Sequence, residues 1–197
     1  MALVVGLIAP PLISQDIRSR ALLLYFSRPL TRLEYILGKM AVVWGYVAMI
    51  TTIPALALYI TGVMLSPDLS VISHTWDFPL RILAASVILM VPTTAIALAF
   101  SASTSRSYYA SFGWFAVWAF GFITYYTLYA ALQDLDKWND HWSLVSLHHT
   151  LGIVQTWVFD IGGTTYGDVF PSLMMLTAVS VLSIGFIYQR ISAHIKV

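Results

Sequence analysis

The sequence predicts an all-α, polytopic helical membrane protein, on three observations. Hydrophobic residues make up 59% of the chain and charged residues only 10%, with a mean hydropathy of +0.80; a water-soluble domain carries about 25% charged residues. The apolar residues form long runs, and a helix needs roughly 20 of them to cross a hydrocarbon core of about 30 Å. The charges gather between the runs: Arg18, Arg20, Arg28, Arg32 and Lys39 are half of the 10 Lys and Arg and fall within residues 14–39. Cysteine is absent, which excludes disulfides, thiolate metal sites and thiol chemistry. A net charge of +1 carries no sign of a nucleic-acid partner.

Taken in order, residues 1–13 are apolar but reach only about 20 Å at a rise of ~1.5 Å per residue. No cation precedes Arg18, so the run makes a poor signal peptide. It is expected to be the last part of a spanning helix; a short N-terminal anchor is the other reading. Residues 14–28 then predict a short helix outside the hydrocarbon. Each buried Arg or Lys costs roughly 2.5–3.5 kcal/mol, against about 0.3–0.6 regained per Leu, Ile or Phe. Ser14 and Asp16 suit its start, Ile17, Ala21 and Leu24 repeat at helical spacing, and Arg28 ends it before Pro29. Thr31-Arg32-Leu33-Glu34 reads as a capping box, with Leu30 and Tyr35 placed as a hydrophobic staple.

Four runs are long enough to cross: residues 35–65, 78–100, 108–132 and 169–187. Pro54 and Pro92 fall near the middles of their runs and favour structural kinks. In the run 108–132, Trp114, Trp118, Phe122, Tyr125 and Tyr129 share one face. That face suits packing against neighbouring helices or, as the sharper alternative, a substrate path along Trp114, Trp118, Phe122 and Tyr125. Gly113 and Gly121 would let another helix come close. Leu144, Leu147, Leu151, Val154 and Val158 form an apolar stripe. They predict an amphipathic helix over 142–159, resting at the outer interface or dipping into it, with Ser143, Ser146, His149 and Thr150 largely away from the stripe. Asp77 and Arg81, four residues apart, are expected to pair.

Charge placement predicts the sidedness. The cations of residues 14–39, Arg106, Arg190 and Lys196 all fall on one side in the helix count. The other side receives Asp68, Asp77, Asp134, Asp136, Asp140, Asp160 and Asp168, with Arg81 and Lys137 as its cations. Excess Lys and Arg marks the cytoplasm, so the C-terminus is expected inside and the loop 133–168 outside.

Catalytic signals are weak. No GxxxxGK[ST] loop is present, so the chain is not expected to hydrolyse ATP itself. The span interiors carry no ionisable residue that would mark an ion path. His141, His148 and His149 with Asp140 do not complete a metal-ligand set, and no metal is expected.

The stretch "ISQDIRSRALLLYFSRPLTRLEYILGK", residues 13–39, closely resembles the cytoplasmic segment of type-2 ATP-binding-cassette export permeases. The matching positions are Asp16, Arg18, Leu24, Ser27, Arg28, Pro29, Arg32, Glu34, Gly38 and Lys39. "LAFSASTSRSYYASFGWF", residues 98–115, is similar to the family's Ser-rich inner turn. The resemblance implies a single permease domain over residues 1–197, seen as four complete spans plus a partial N-terminal span of a six-span fold. It implies a coupling helix whose contacts to a separate ATPase subunit involve Asp16, Arg18, Arg20, Leu24, Arg28, Pro29, Arg32 and Glu34. It also implies a second permease copy or homologue, ATP and magnesium held by the ATPase rather than by this chain, a re-entrant outer helix, and a place in the cell's inner membrane. Without the resemblance, residues 14–39 would read as a basic helix lying on anionic lipid. An integral membrane enzyme or anchor subunit using the outer His/Asp loop is the alternative function.

Overall fold

The computed structural model describes residues 1–27, 30–66, 70–132, 140–161 and 166–195, with the backbone alone at residues 70, 140, 141, 166–168, 194 and 195. Its elements are helical in order: α1 (Ala2–Arg18), α2 (Ala21–Tyr25), α3 (Arg32–Ile50), α4 (Thr52–Met64), α5 (Ser70–Thr75), α6 (Phe78–Ser103) and α7 (Ser107–Leu132). A 3-10 turn (Asp140–Val145), α8 (Leu147–Val158) and α9 (Tyr166–Ile195) complete the chain. Among the described residues there is no strand. The protein has four helices long and apolar enough to cross a membrane, Arg32–Met64, Val71–Ser103, Ser107–Leu132 and Val169–Ala193.

The apolar run at the N-terminus does not stop at residue 13. It continues as helix to Arg18, so Ser14 and Asp16 lie inside α1 rather than starting a new helix. The expected single helix over 14–28 is broken instead at Arg20, which takes a left-handed conformation (φ 57°). The physical reason is that Ser14 is spent elsewhere: it is fully buried, and its hydroxyl donates back to the Pro10 carbonyl at 2.6 Å.

Pro10 and Pro11 sit within α1 and lack the N–H that would serve the carbonyls four residues before them. Neighbouring helices repair the ladder. Ser111 of α7 donates its hydroxyl to the Gly6 carbonyl, the one Pro10 leaves open, at 3.1 Å. Ser101 of α6 accepts from the Ile13 and Ser14 amides, both at 3.0 Å, and donates to the Pro10 carbonyl at 2.5 Å. One hydroxyl thus uses its donor and both its acceptor sites on α1. Trp114, wholly buried, donates its indole N–H to the Ala2 carbonyl at 2.8 Å. Gly6 makes room for this ring: a Cβ there would lie 2.5 Å from Trp114 Cδ1.

α6 is the central span, touching α1, α3, α4, α7, α8 and α9. Its buried stretch is made of small residues, Thr93, Thr94, Ala95, Ala97, Ser101 and Ala102 around Leu98, which let helices approach closely. Pro92 does not interrupt it; the Thr93 hydroxyl bonds back to Leu89 and Met90 carbonyls. Pro54 has the larger effect. The helix divides into α3 and α4 at Thr51, one residue past the Ile50 carbonyl that Pro54 cannot serve. Across this break, Thr52 donates to Ser86 of α6 at 2.8 Å.

Residues 142–159 are not one helix. Residues 140–145 form the 3-10 turn, Ser146 is extended, and α8 begins at Leu147. Ser143, Ser146 and Thr150, expected away from the apolar stripe, are buried with it. They satisfy one another: the Thr150 hydroxyl lies 3.1 Å from the Ser143 carbonyl and 2.9 Å from the Ser146 carbonyl. α8 packs among α6, α7 and α9 through Leu147, Leu151 and Val154. Gly121 lets the chain at Ser146 come close, with a Cβ position 3.3 Å from Ser146 Cα. Gly113 instead faces the Phe100 ring.

Ser101→Ala should lower stability by about 1–3 kcal/mol, the cost of leaving buried polar groups unmatched. The check is the thermal unfolding midpoint of the detergent-solubilised protein, and an unchanged midpoint would discount the bonding described for this hydroxyl.

Candidate functional site

The basic residues converge where α1 ends, α2 turns and α3 begins. Ser19 closes α1, its amide and hydroxyl both bonding to the Gln15 carbonyl at 2.8 Å. The left-handed Arg20 then swings α2 across the end of the bundle. Leu22 anchors α2 in the core at 2% exposure, whereas Leu23, Leu24 and Tyr25 face outward, Leu24 at 68%. Arg18 and Arg20 are exposed beside them. The elbow therefore presents cations and apolar side chains together.

Asp16, Arg32 and Glu34, also predicted to couple to a partner, are used within the chain. Asp16 accepts from the Tyr35 hydroxyl at 2.6 Å and pairs with Lys39 at 2.7 Å, tying α1 to α3. The Lys39 ammonium also lies 5.4 Å from the Tyr35 ring centroid, and Tyr25 and Phe26 of the elbow tilt against that ring at 5.9 and 5.8 Å. Arg32 donates to Ser192 of α9 at 2.7 Å and sits over the Tyr188 ring at 5.4 Å. Glu34 completes the expected capping box: it accepts from the Thr31 amide at 2.7 Å, and its own amide donates to the Thr31 hydroxyl. Arg28 and Pro29 lie outside the described residues. Tyr35 and Lys39 are the partners that helical spacing alone misses, because the contact joins two different helices.

The aromatic face of α7 is covered by the chain itself. Trp114 lies under the start of α1 and meets Trp118 edge-on at 5.8 Å. Trp118 and Phe122 pack edge-on against His148 of α8, at 6.3 and 6.1 Å. Tyr125 stacks on His149 at 3.5 Å, and Phe122 stacks on it at 6.1 Å. Phe122 is the most open of the four, at 44%. The His149 Nδ1 lies 2.9 Å from the Ser146 hydroxyl. Burial, and secondarily the neighbouring His148, hold the His149 pKa below its ordinary value of 6.5. Among the described residues no three of His, Cys, Asp or Glu come together as metal ligands, and the side chains of Asp140 and His141 lie outside them.

At the opposite end of α6, Arg81 pairs with Asp77 at 2.7 Å, as the spacing predicts. It also donates to the Val158 carbonyl at 3.2 Å, placing a cation at the negative C-terminal end of α8.

What the elbow offers is an exposed face that carries cations and apolar side chains together, beside the Asp16–Lys39 tie between α1 and α3. Comparison of the chain with family models, curated proteins and solved structures finds no match.

Two outcomes follow. A double-mutant cycle on Asp16 and Lys39 should return a coupling of about 0.5–3 kcal/mol in unfolding free energy, and additive single variants would deny the tie. His149 binds its proton more weakly folded than unfolded. Its contribution is thus complete above about pH 6.5 and is lost as the pH falls through its depressed folded value. His149→Phe, which keeps a ring against Tyr125, should flatten that acid-side decline in thermal midpoint relative to the unaltered protein.

Proposed function

We propose that the chain is the membrane-spanning permease subunit of an ATP-binding-cassette exporter of the type-2 kind. The exposed elbow of Arg18, Arg20 and Leu24, rooted in the bundle by Leu22 and by the Asp16–Lys39 pair, is the observation that carries this reading. A separate ATPase subunit docks on residues 14–34, holding ATP and magnesium. Its closure pushes on α2, and the tie between α1 and α3 passes the displacement into the spans. A second copy of the chain, or a homologue, completes the transport path.

In this reading the elbow and the C-terminus face the cytoplasm of the inner membrane, by the excess of Lys and Arg on that side. α8 is re-entrant from the outer face. Its 12 residues cover about 18 Å, too few to cross. Its end meets Arg81 at the start of α6, and its beginning meets Gly121 near the middle of α7. Lipid covers the many exposed apolar side chains of the spans, such as Leu58, Met64, Val181 and Leu182.

The test is co-purification. A cassette-type ATPase should accompany the detergent-extracted protein. Arg18→Glu with Arg20→Glu should lose it, and lose substrate-stimulated ATP hydrolysis, while the variant still inserts in the membrane. Full retention of the ATPase by the double variant would sink the proposal.

A further inference from the structure

A second feature needs only that α6, α7 and α9 cross a membrane. An apolar groove of about 420 Å³ runs between α6, α7, α9 and the base of α8. Ile96, Phe100, Val117, Leu147, Val179 and Phe186 are among the residues that line it. It meets, at Ser103, a polar pocket of about 300 Å³ formed with Ile17, Ala102, Thr104, Ser105 and Arg190. Ser103 lines both.

The register of the two is what matters. Ser103 ends α6, and Thr104 and Ser105 belong to the link to α7, between two helices of spanning length, so the polar pocket lies at a membrane boundary whichever side that is. Along α9, measured from Arg190, the groove extends from Phe186, about 6 Å away, to Met175, about 22 Å away, at ~1.5 Å per residue. That span of about 16 Å matches one leaflet, half of a hydrocarbon core of about 30 Å. An apolar groove at this depth meets hydrocarbon rather than water, and an acyl chain fills it. The charge at its mouth selects the head. Arg190 lines the pocket.

We propose that this composite is a binding site for one anionic phospholipid, with an acyl chain in the groove and the phosphate against Ser103–Ser105 and Arg190. The lipid is a resident of the fold. It fills the gap between α6 and α9 and bonds the link that joins α6 to α7.

Native mass spectrometry of the whole detergent-extracted chain tests it, using a phosphatidylglycerol and a phosphatidylcholine with identical acyl chains. The unaltered protein should retain one phosphatidylglycerol in preference to phosphatidylcholine. Arg190→Gln should weaken that retention about fivefold, the contribution of one cation near a lipid surface. Arg106→Gln, outside the pocket, should leave it unchanged. Ala99→Trp should fill the groove and expel both lipids. Val179→Trp does the same from another helix, so a misfolded variant at one position leaves the other to decide. Equal retention of the two lipids by the unaltered protein, equal losses in Arg190→Gln and Arg106→Gln, lipid kept by a folded groove-filling variant, or displacement of the lipid by inorganic phosphate would each overturn the proposal.

Discussion

In hydrocarbon a backbone amide or carbonyl has no water to turn to, and each one left open costs several kcal/mol. The structure depends on how that constraint is met at Pro10 and Pro11. Two adjacent imino acids in a buried helix leave carbonyls open within two turns, and the helix survives because other helices supply donors. Ser111 does so for the Gly6 carbonyl, and Ser101, from a different span, serves the Pro10 carbonyl and the Ile13 and Ser14 amides one turn on. Their hydroxyls fix where α1 sits between α6 and α7, because a hydrogen bond tolerates little sliding along the helix axis. Apolar packing around Val5, Ala9, Ile13 and Leu98 is compatible with several registers; the serine bonds select one.

The rest of the bundle is arranged around that register. With α1 set, Asp16 comes opposite Tyr35 and Lys39, which brings the capped start of α3 to the same end. Arg32 then reaches Ser192, so α9 is gathered in as well. A carboxylate and an ammonium sharing little water would be costly apart, and together each removes the other's penalty. The same logic governs Thr150, whose hydroxyl enters an apolar interface by serving the Ser143 and Ser146 carbonyls, and Ser146, whose hydroxyl lies against the His149 ring.

The four span-length helices, the capping box at Thr31–Glu34 and the Asp77–Arg81 pair were legible in the sequence because each depends on local chemistry. Apolar run length reports burial in lipid, and capping and i,i+4 pairing act within one turn. What misled was also physical. Ser14 and Asp16 are good helix starters in isolation, yet their side chains are claimed by Pro10 and by α3, and the helix runs through them. The polar positions of 143–150 were placed away from the apolar stripe because periodicity scores a hydroxyl as polar whether or not a carbonyl waits for it. Of the residues tied to the elbow, Arg18, Arg20 and Leu24 are outward and the inward turn of Asp16 and Arg32 depended on contacts 19 and 160 residues away in sequence. The role of Gly6 was hidden for a like reason: only the arrival of Trp114 and Phe115 makes a side chain impossible there.

Arg20 holds its backbone in a narrow left-handed well that a side-chain-bearing residue occupies at a cost on the order of 1–3 kcal/mol. A glycine would reach the same angles freely and would also wander out of them. The strained residue therefore behaves as a set joint rather than a loose one, holding α2 at one angle to the end of α1.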